Sequence, residues 1–196
     1  MFTGIIQELG TVWRVERSRG LSRLTVAAPA VAARVRILES VAVNGVCLTV
    51  VDVRRPAMTF ELIGHTQRLT TLGALRRGER VHVEPSLSLS DRLSGHLVFG
   101  HVDGLGAVVK RRQHAGELVL ELRVPEALRR LVVPKGPVAV DGVSLTVGDT
   151  PTRLTFTVHL IPETLRQTAL RGRKVHDRVN VEVDYFAKLV AQLIQP

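Results

Sequence analysis

Two stretches of the chain, NGVCLTV at 44–50 and DGVSLTV at 141–147, carry one short strand twice, with a cysteine in the first and a serine in the second. In an extended chain alternate side chains share a face, so Val46, Leu48 and Val50 point one way while Cys47 and Thr49 point the other. The copy places Val143, Leu145 and Val147 opposite Ser144 and Thr146. Small hydrogen-bonding groups at matched places suit one small, flat, polar molecule held twice. Sulfur in place of hydroxyl would make the two sites alike in shape and different in chemistry. Taken singly, Cys47 also suits inert packing in a half-buried strand. The pairing with Ser144 is what favours a ligand.

Other constellations are weaker. His96 and His101 lie five apart, on opposite faces of any continuous strand, and no third ligand type stands near, so no metal is expected. His101, in FGHVDG, suits either orienting a ligand or satisfying a turn. Gly104 and Gly106 form a GxG that precedes no helical pattern, which argues against a dinucleotide fingerprint. No cofactor is expected.

These residues must be positioned by strands. Runs with period-two alternation dominate: LTVAA, SVAVNGVCLTVVDV, MTFELI, RVHVEP, HLVFGHV, AVV, ELVLELRV, PVAVDGVSLTV, RLTFTVHLI and RVNVEVD. Spaced by Gly, Pro and Asp turns, they predict an all-β fold. Short helices are expected at PAVAARV (29–35) and PEALRRL (125–131), each opening on proline, and an amphipathic helix at the end, where Phe186, Leu189, Val190, Leu193 and Ile194 fall at helical spacing.

The echo extends through each half. LGTV at 9–12 answers LGAV at 105–108, Gly4 answers Gly100, HTQRLTTL answers ETLRQTAL, and RVHVE at 80–84 answers RVNVE at 178–182, all at an offset of 96 to 98. One register held over a whole half means a duplicated domain rather than a solenoid. The expected organisation is two tandem Greek-key β-barrels, 1–94 and 95–185, followed by a C-terminal α-helix over 186–196.

With 45% hydrophobic residues in 196 the chain can bury a core, and no apolar run approaches the length of a membrane span. The lone cysteine suits a reducing cytoplasm. A net charge of +9 raises the possibility of a nucleic-acid partner, but the basic residues are scattered in small groups beside turns and only 4% of residues are aromatic, which leaves few rings for base stacking. Neither nucleic acid nor membrane is expected as a partner.

The motifs MFTGII, NGVCLTV, GHLVFGHVDG, DGVSLTVG, HLIPETLRQTAL and RVNVEVD followed by AK are similar, in order and spacing, to those of the riboflavin synthase family. The resemblance covers nearly the whole chain. It implies a cofactor-free transferase that dismutates two molecules of 6,7-dimethyl-8-ribityllumazine, one donating a four-carbon unit to the other, to riboflavin and 5-amino-6-ribitylamino-uracil. It further implies a homotrimer with each active site between the N-barrel of one subunit and the C-barrel of its neighbour. Carried over by position, the N-barrel site comprises Gly4, Ile5 and Ile6, then Cys47, Leu48 and Thr49, then Leu62, Ile63, Gly64, His65 and Thr66, closed by Phe2. Gly100, His101 and Val102 match the segment at the junction. The C-barrel site comprises Lys135, Ser144, Leu145, Thr146, His159, Leu160, Ile161, Pro162, Glu163 and Thr164. Cys47, Ser144 and His101 are the catalytic candidates, and residues alone do not choose among Cys47, Ser144 and a bound water as the nucleophile.

The sequence departs from the family pattern at His65, where a glutamate is usual, and at Pro85, Ser94 and Phe99. A non-catalytic lumazine- or flavin-binding protein on the same two barrels is the alternative. Retention of Cys47, Ser144, Thr146 and an intact IPET segment favours the enzyme.

Overall fold

The computed structural model describes residues 1–18, 20–114 and 116–194. Residues 195 and 196 of the expected terminal helix lie outside them. In the first half, β1 (Glu8–Glu16), β2 (Leu21–Ala27), β3 (Ser40–Val43), β4 (Val46–Arg54), β5 (Ala57–Ile63) and β6 (Arg80–Pro85) close into a barrel of order β1-β2-β5-β4-β3-β6. The second half repeats that cyclic order with β7 (Gly104–His114), β8 (Glu117–Arg123), β9 (Pro137–Val140), β10 (Val143–Thr146), β11 (Thr155–Leu160) and β12 (Arg178–Val183). Here closure is weaker than in the first half. β10 stops at Thr146, and only a single bridge, Val147 to Val158, joins its end to β11. Where β4 continues through Val53 and Arg54, the second copy has Thr150 and Pro151, and proline has no N–H for the ladder.

Alternation sorts the side chains as anticipated. Val46, Leu48 and Val50 are buried with Leu24, Met58, Phe60 and Val83 in one core, and Val143 and Val147 with Leu120, Phe156, Val158 and Val181 in the other. The segment HLVFGHV is not a strand. It crosses between the halves and is tied by a lone antiparallel bridge of Val98 to Phe2. PAVAARV forms α1 (Pro29–Ala32), but PEALRRL makes only a 3-10 turn over Glu126–Leu128. α2 (Gly64–Leu69) and α3 (Pro162–Gln167) arise from the two copies of the HTQRLTTL and ETLRQTAL pattern, and α4 (Tyr185–Leu193) ends the chain.

The halves meet through their hairpin turns. Asn44–Gly45 and Asp141–Gly142 all have positive φ (46°, 74°, 47° and 80°), the backbone of two-residue turns that match strand twist. The turns abut so closely that a Cβ on Gly45 would lie 2.5 Å from the Gly142 nitrogen. Around them runs a buried polar seam with local two-fold symmetry. His82 Nδ1 lies 2.8 Å from the Asp141 carbonyl, and Asn180 Nδ2 donates to the Asn44 carbonyl at 2.8 Å. His82 Nε2 accepts from the Ala169 N–H, as Asn180 Oδ1 accepts from the Thr71 N–H. With Nε2 accepting, Nδ1 must carry the proton, so the imidazole is held neutral.

Burial is the main cause that lowers the His82 pKa, with a smaller lowering from the Arg173 charge, against the raising effect of Asp141. Its contribution to stability is therefore complete above about pH 6.5, where the unfolded ring is also neutral, and is lost as pH falls through and below that value. His82→Asn, which copies the residue that Asn180 supplies in the other half, should flatten the fall in melting temperature between pH 7 and pH 5. Thermal denaturation across that range measures it, and an unchanged slope would show that His82 does not carry the acid sensitivity.

Candidate functional site

Each half presents its repeated strand beside a fork. The ladder between β4 and β5 runs from Arg54 and Ala57 to Val50 and Phe60; nearer the hairpin turn, β4 pairs with β3 and β5 with β2. In the fork lie Cys47, half buried, and Thr49, exposed, facing away from the core. Leu62 is buried, Ile63 is exposed, and Gly64, His65 and Thr66 open α2. The second half mirrors this. Ser144 is half buried and Thr146 exposed, with Leu145 against the core; Leu160 is buried, Ile161 is exposed, and Pro162, Glu163 and Thr164 open α3. The two helices start at the same point, with His65 where the copy has Glu163, whose carboxylate binds Arg166 and Gln167. Lys135, at φ 64°, donates its N–H to Val147 just beyond Thr146, and His159 faces outward with Nδ1 3.3 Å from Glu117.

The straps that complete the forks are exchanged. Gly4, Ile5 and Ile6 are expected beside Cys47, yet the Gly4 carbonyl accepts from the Ser144 N–H at 2.8 Å and Ile6 packs on the second core. Reciprocally, the Gly100 carbonyl accepts from the Cys47 N–H at 2.9 Å, and Val102 packs on the first core. The two straps run antiparallel where they meet, joined by Phe2 and Val98 through reciprocal N–H to carbonyl bonds of 2.7 and 3.1 Å, and beyond this bridge each continues onto the opposite half. Phe2 itself is fully buried in that seam with Ala42, Val98 and Ala139, and Cys47 packs against this cluster. The ring is a seam anchor with no open face. His101 is exposed beside Phe99, which packs on Tyr185 at 4.7 Å between ring centres.

Three contributors escaped the sequence reading. His96 Nδ1 lies 2.7 Å from Ser144 Oγ. Burial pushes its imidazole below the usual range, opposed by Asp184, so the ring favours its neutral, proton-accepting form. The others are Glu84 and Glu182. Burial raises both carboxyls, against the lowering effect of the strap N–H groups they bind. Their signal was present: by alternation RVHVE puts Arg80, His82 and Glu84, and RVNVE puts Arg178, Asn180 and Glu182, on the strand face opposite the core, and a second unit buries the last two of each set.

The comparisons agree with this architecture. A family model described as lumazine binding domain matches residues 3–86 and again 99–184. The chain is 43% identical to riboflavin synthase of Mycobacterium tuberculosis across its full length and 98% of that protein. It is 36% identical to riboflavin synthase of Escherichia coli (100% of this chain, 92% of the relative) and 33% identical to that of Bacillus subtilis (99% and 90%). The chain belongs to the riboflavin synthase family. It is accordingly an enzyme that makes riboflavin, by four-carbon transfer between two lumazine molecules. The fold also matches crystal structures titled LumP complexed with riboflavin, at a TM-score of 0.87 and 22% identity over 94% of this chain and 100% of that one, and LumP complexed with 6,7-dimethyl-8-(1'-D-ribityl) lumazine, at 0.85.

Gly4 and Gly100 have φ of 74° and 75°, and an added Cβ would come within 2.7 Å of Ser144 and 2.6 Å of Cys47. Gly78, at φ 90°, has open space around the same position. Alanine at Gly78 should cost only the strained backbone, about 1 kcal/mol. Alanine at Gly4 or Gly100 must also displace a strap, and should lower the melting temperature by several degrees more. Equal losses at all three positions would deny the tight fit of the straps.

Proposed function

We propose that each half holds one lumazine in its fork, that the Ser144 and His96 pair serves as the proton-abstracting group, and that Cys47 lines the site of the second lumazine. The observation that carries this reading is the 2.7 Å contact of His96 Nδ1 with Ser144 Oγ. A neutral imidazole at that distance can take the hydroxyl proton as the hydroxyl takes one from the 7-methyl group of the lumazine, whose carbanion is delocalised into the ring. The two substrates together contain every atom of the two products. The remaining work is to hold two rings face to face, for which effective molarities reach about 10⁵ M or more.

Exposed Ile63 and Ile161 offer apolar surface for a flat ring, and exposed Thr49 and Thr146 offer hydroxyls for its ribityl chain. Both forks are open on a single chain, which supports completion by a neighbouring subunit in a homotrimer. The C-terminal helix supplies a surface for it: on α4, Phe186, Val190 and Leu193 are 59, 56 and 84% exposed. The lone thiol at Cys47 and the absence of a helix long and apolar enough to cross a membrane, among the described residues, fit a cytoplasmic enzyme.

Incubating the protein with 6,7-dimethyl-8-ribityllumazine should produce riboflavin absorbance and fluorescence. Ser144→Ala and His96→Gln should each lower kcat by about 10² or more, the usual contribution of general acid–base catalysis, with little change in KM. Cys47→Ser should lower turnover about tenfold, an activation cost of about 1.4 kcal/mol. Full turnover by either Ser144→Ala or His96→Gln would remove the pair from the chemistry. Val190→Glu should shift the protein from trimer to smaller species in sedimentation, and an unaffected trimer would place the subunit contact elsewhere.

A further inference from the structure

Glu84 and Glu182 occupy corresponding places on β6 and β12, and each is nearly buried, at 4% and 5% exposed. Each turns away from its own core toward a strap. Glu84 Oε1 accepts from the Thr3 N–H at 2.7 Å and from the Thr3 hydroxyl at 2.8 Å, and Oε2 accepts from the Gly4 N–H at 3.1 Å. Glu182 Oε1 accepts from the Phe99 N–H at 2.7 Å, and Oε2 from the Gly100 N–H at 2.9 Å.

The straps continue to the opposite half. Beyond Glu84, the Thr3 carbonyl accepts from the His96 N–H at 3.2 Å, and the Gly4 carbonyl accepts from the Ser144 N–H at 2.8 Å. One carboxylate thus anchors, through two adjacent residues, the backbones of both partners in the Ser144 and His96 contact. Beyond Glu182, the Gly100 carbonyl accepts from the Cys47 N–H at 2.9 Å. Hydrogen bonds to a carboxylate are among the strong ones, and a buried N–H deprived of its acceptor is costly, which favours local release of a strap.

We propose that the two glutamates are crossed positioning residues: Glu84, on the first half, sets the Ser144 and His96 geometry of the second, and Glu182, on the second half, sets Cys47 in the first. Neither touches the group it positions, so each acts through its strap. The consequence is that neither site is complete within one half. Its function in catalysis rests on the reading of Ser144 and His96 given above, but the crossed coupling can be measured without turnover.

The imidazole titration of His96, followed by NMR and assigned by its loss in His96→Gln, reports on one site. The rate at which iodoacetamide alkylates Cys47, the sole cysteine, reports on the other. Glu84→Gln presents an amide N–H₂ to the strap donors. It should move the His96 titration upward by half a unit or more, toward the solvated value, and leave the Cys47 alkylation rate within twofold. Glu182→Gln should do the reverse, raising alkylation fivefold or more with His96 unmoved. In turnover, Glu84→Gln should lower kcat about tenfold and change KM less than threefold. Should Glu84→Gln not fold, Glu84→Asp keeps the charge but shortens the reach, and should give a smaller shift of the same sign. A folded Glu84 variant in which His96 titrates as in the parent, or in which Cys47 responds as much as His96, overturns the proposal. If the parent makes no riboflavin while the crossed responses hold, the functional reading fails and the coupling stands.

Discussion

The contact of the two hairpin turns, Asn44–Gly45 against Asp141–Gly142, is the constraint from which the rest of the architecture follows. With a Cβ on either glycine falling about 2.5 Å from the opposite backbone, no side chain can be inserted, and the halves approach at backbone distance. Such an approach buries the polar groups of both turns, and buried amides and carbonyls must find partners. His82 and Asn180 provide them. Each reaches across to the carbonyl of the other half's turn and takes an N–H from the other half's loop, so the seam is held by directional bonds as well as by Phe2, Val98, Ala42 and Ala139. Asp141 adds an ion pair with Arg173 that the neutral Asn44 has no means to copy. The seam is symmetric in geometry and asymmetric in charge.

That distinction recurs at the two forks. Both are built by the same strand, the same helix start and the same glycine strap. One carries a hydroxyl against an imidazole and the other a thiol, with His65 in place of Glu163 at the helix start. A reaction that consumes two molecules of one substrate needs two receptors of similar shape and different reactivity. In the function proposed above, duplication supplies the shape and a few substitutions on the outward face supply the difference, leaving the core residues of both copies apolar.

The exchange of straps makes the pair a single unit. Thr3 and Gly4 are bound by a carboxylate of the first half and meet His96 and Ser144 of the second, while Phe99 and Gly100 are bound by Glu182 and Gly100 meets Cys47. Separation of the halves would remove a wall from both sites. The buried carboxylates resist ordinary solvation, and their strap N–H partners compensate by favouring the charged form.

Much of this was legible in the residues. Alternation assigned Val46, Leu48 and Val50 inward and Cys47 and Thr49 outward, because strand facing depends on a few consecutive residues, whereas SVAVNGVCLTVVDV and PVAVDGVSLTV, each read as one run, fold back at Asn44–Gly45 and Asp141–Gly142 into two strands. The constant offset between copies revealed the duplication for the same reason: it needs only comparison along the chain. The sequence by itself therefore determined the strand order's raw material, the two halves and the repeated polar strand. It did not determine that HLVFGHV would be an irregular strap, that β10 would stop at Thr146, or that Gly4 would meet Ser144 instead of Cys47. His96 was set aside on the assumption of a continuous strand, and Glu84 and Glu182 passed as ordinary polar residues. Those outcomes depend on how two folded halves dock: contacts between residues far apart in the chain, such as Gly4 with Ser144, join one half to the other and leave no local pattern.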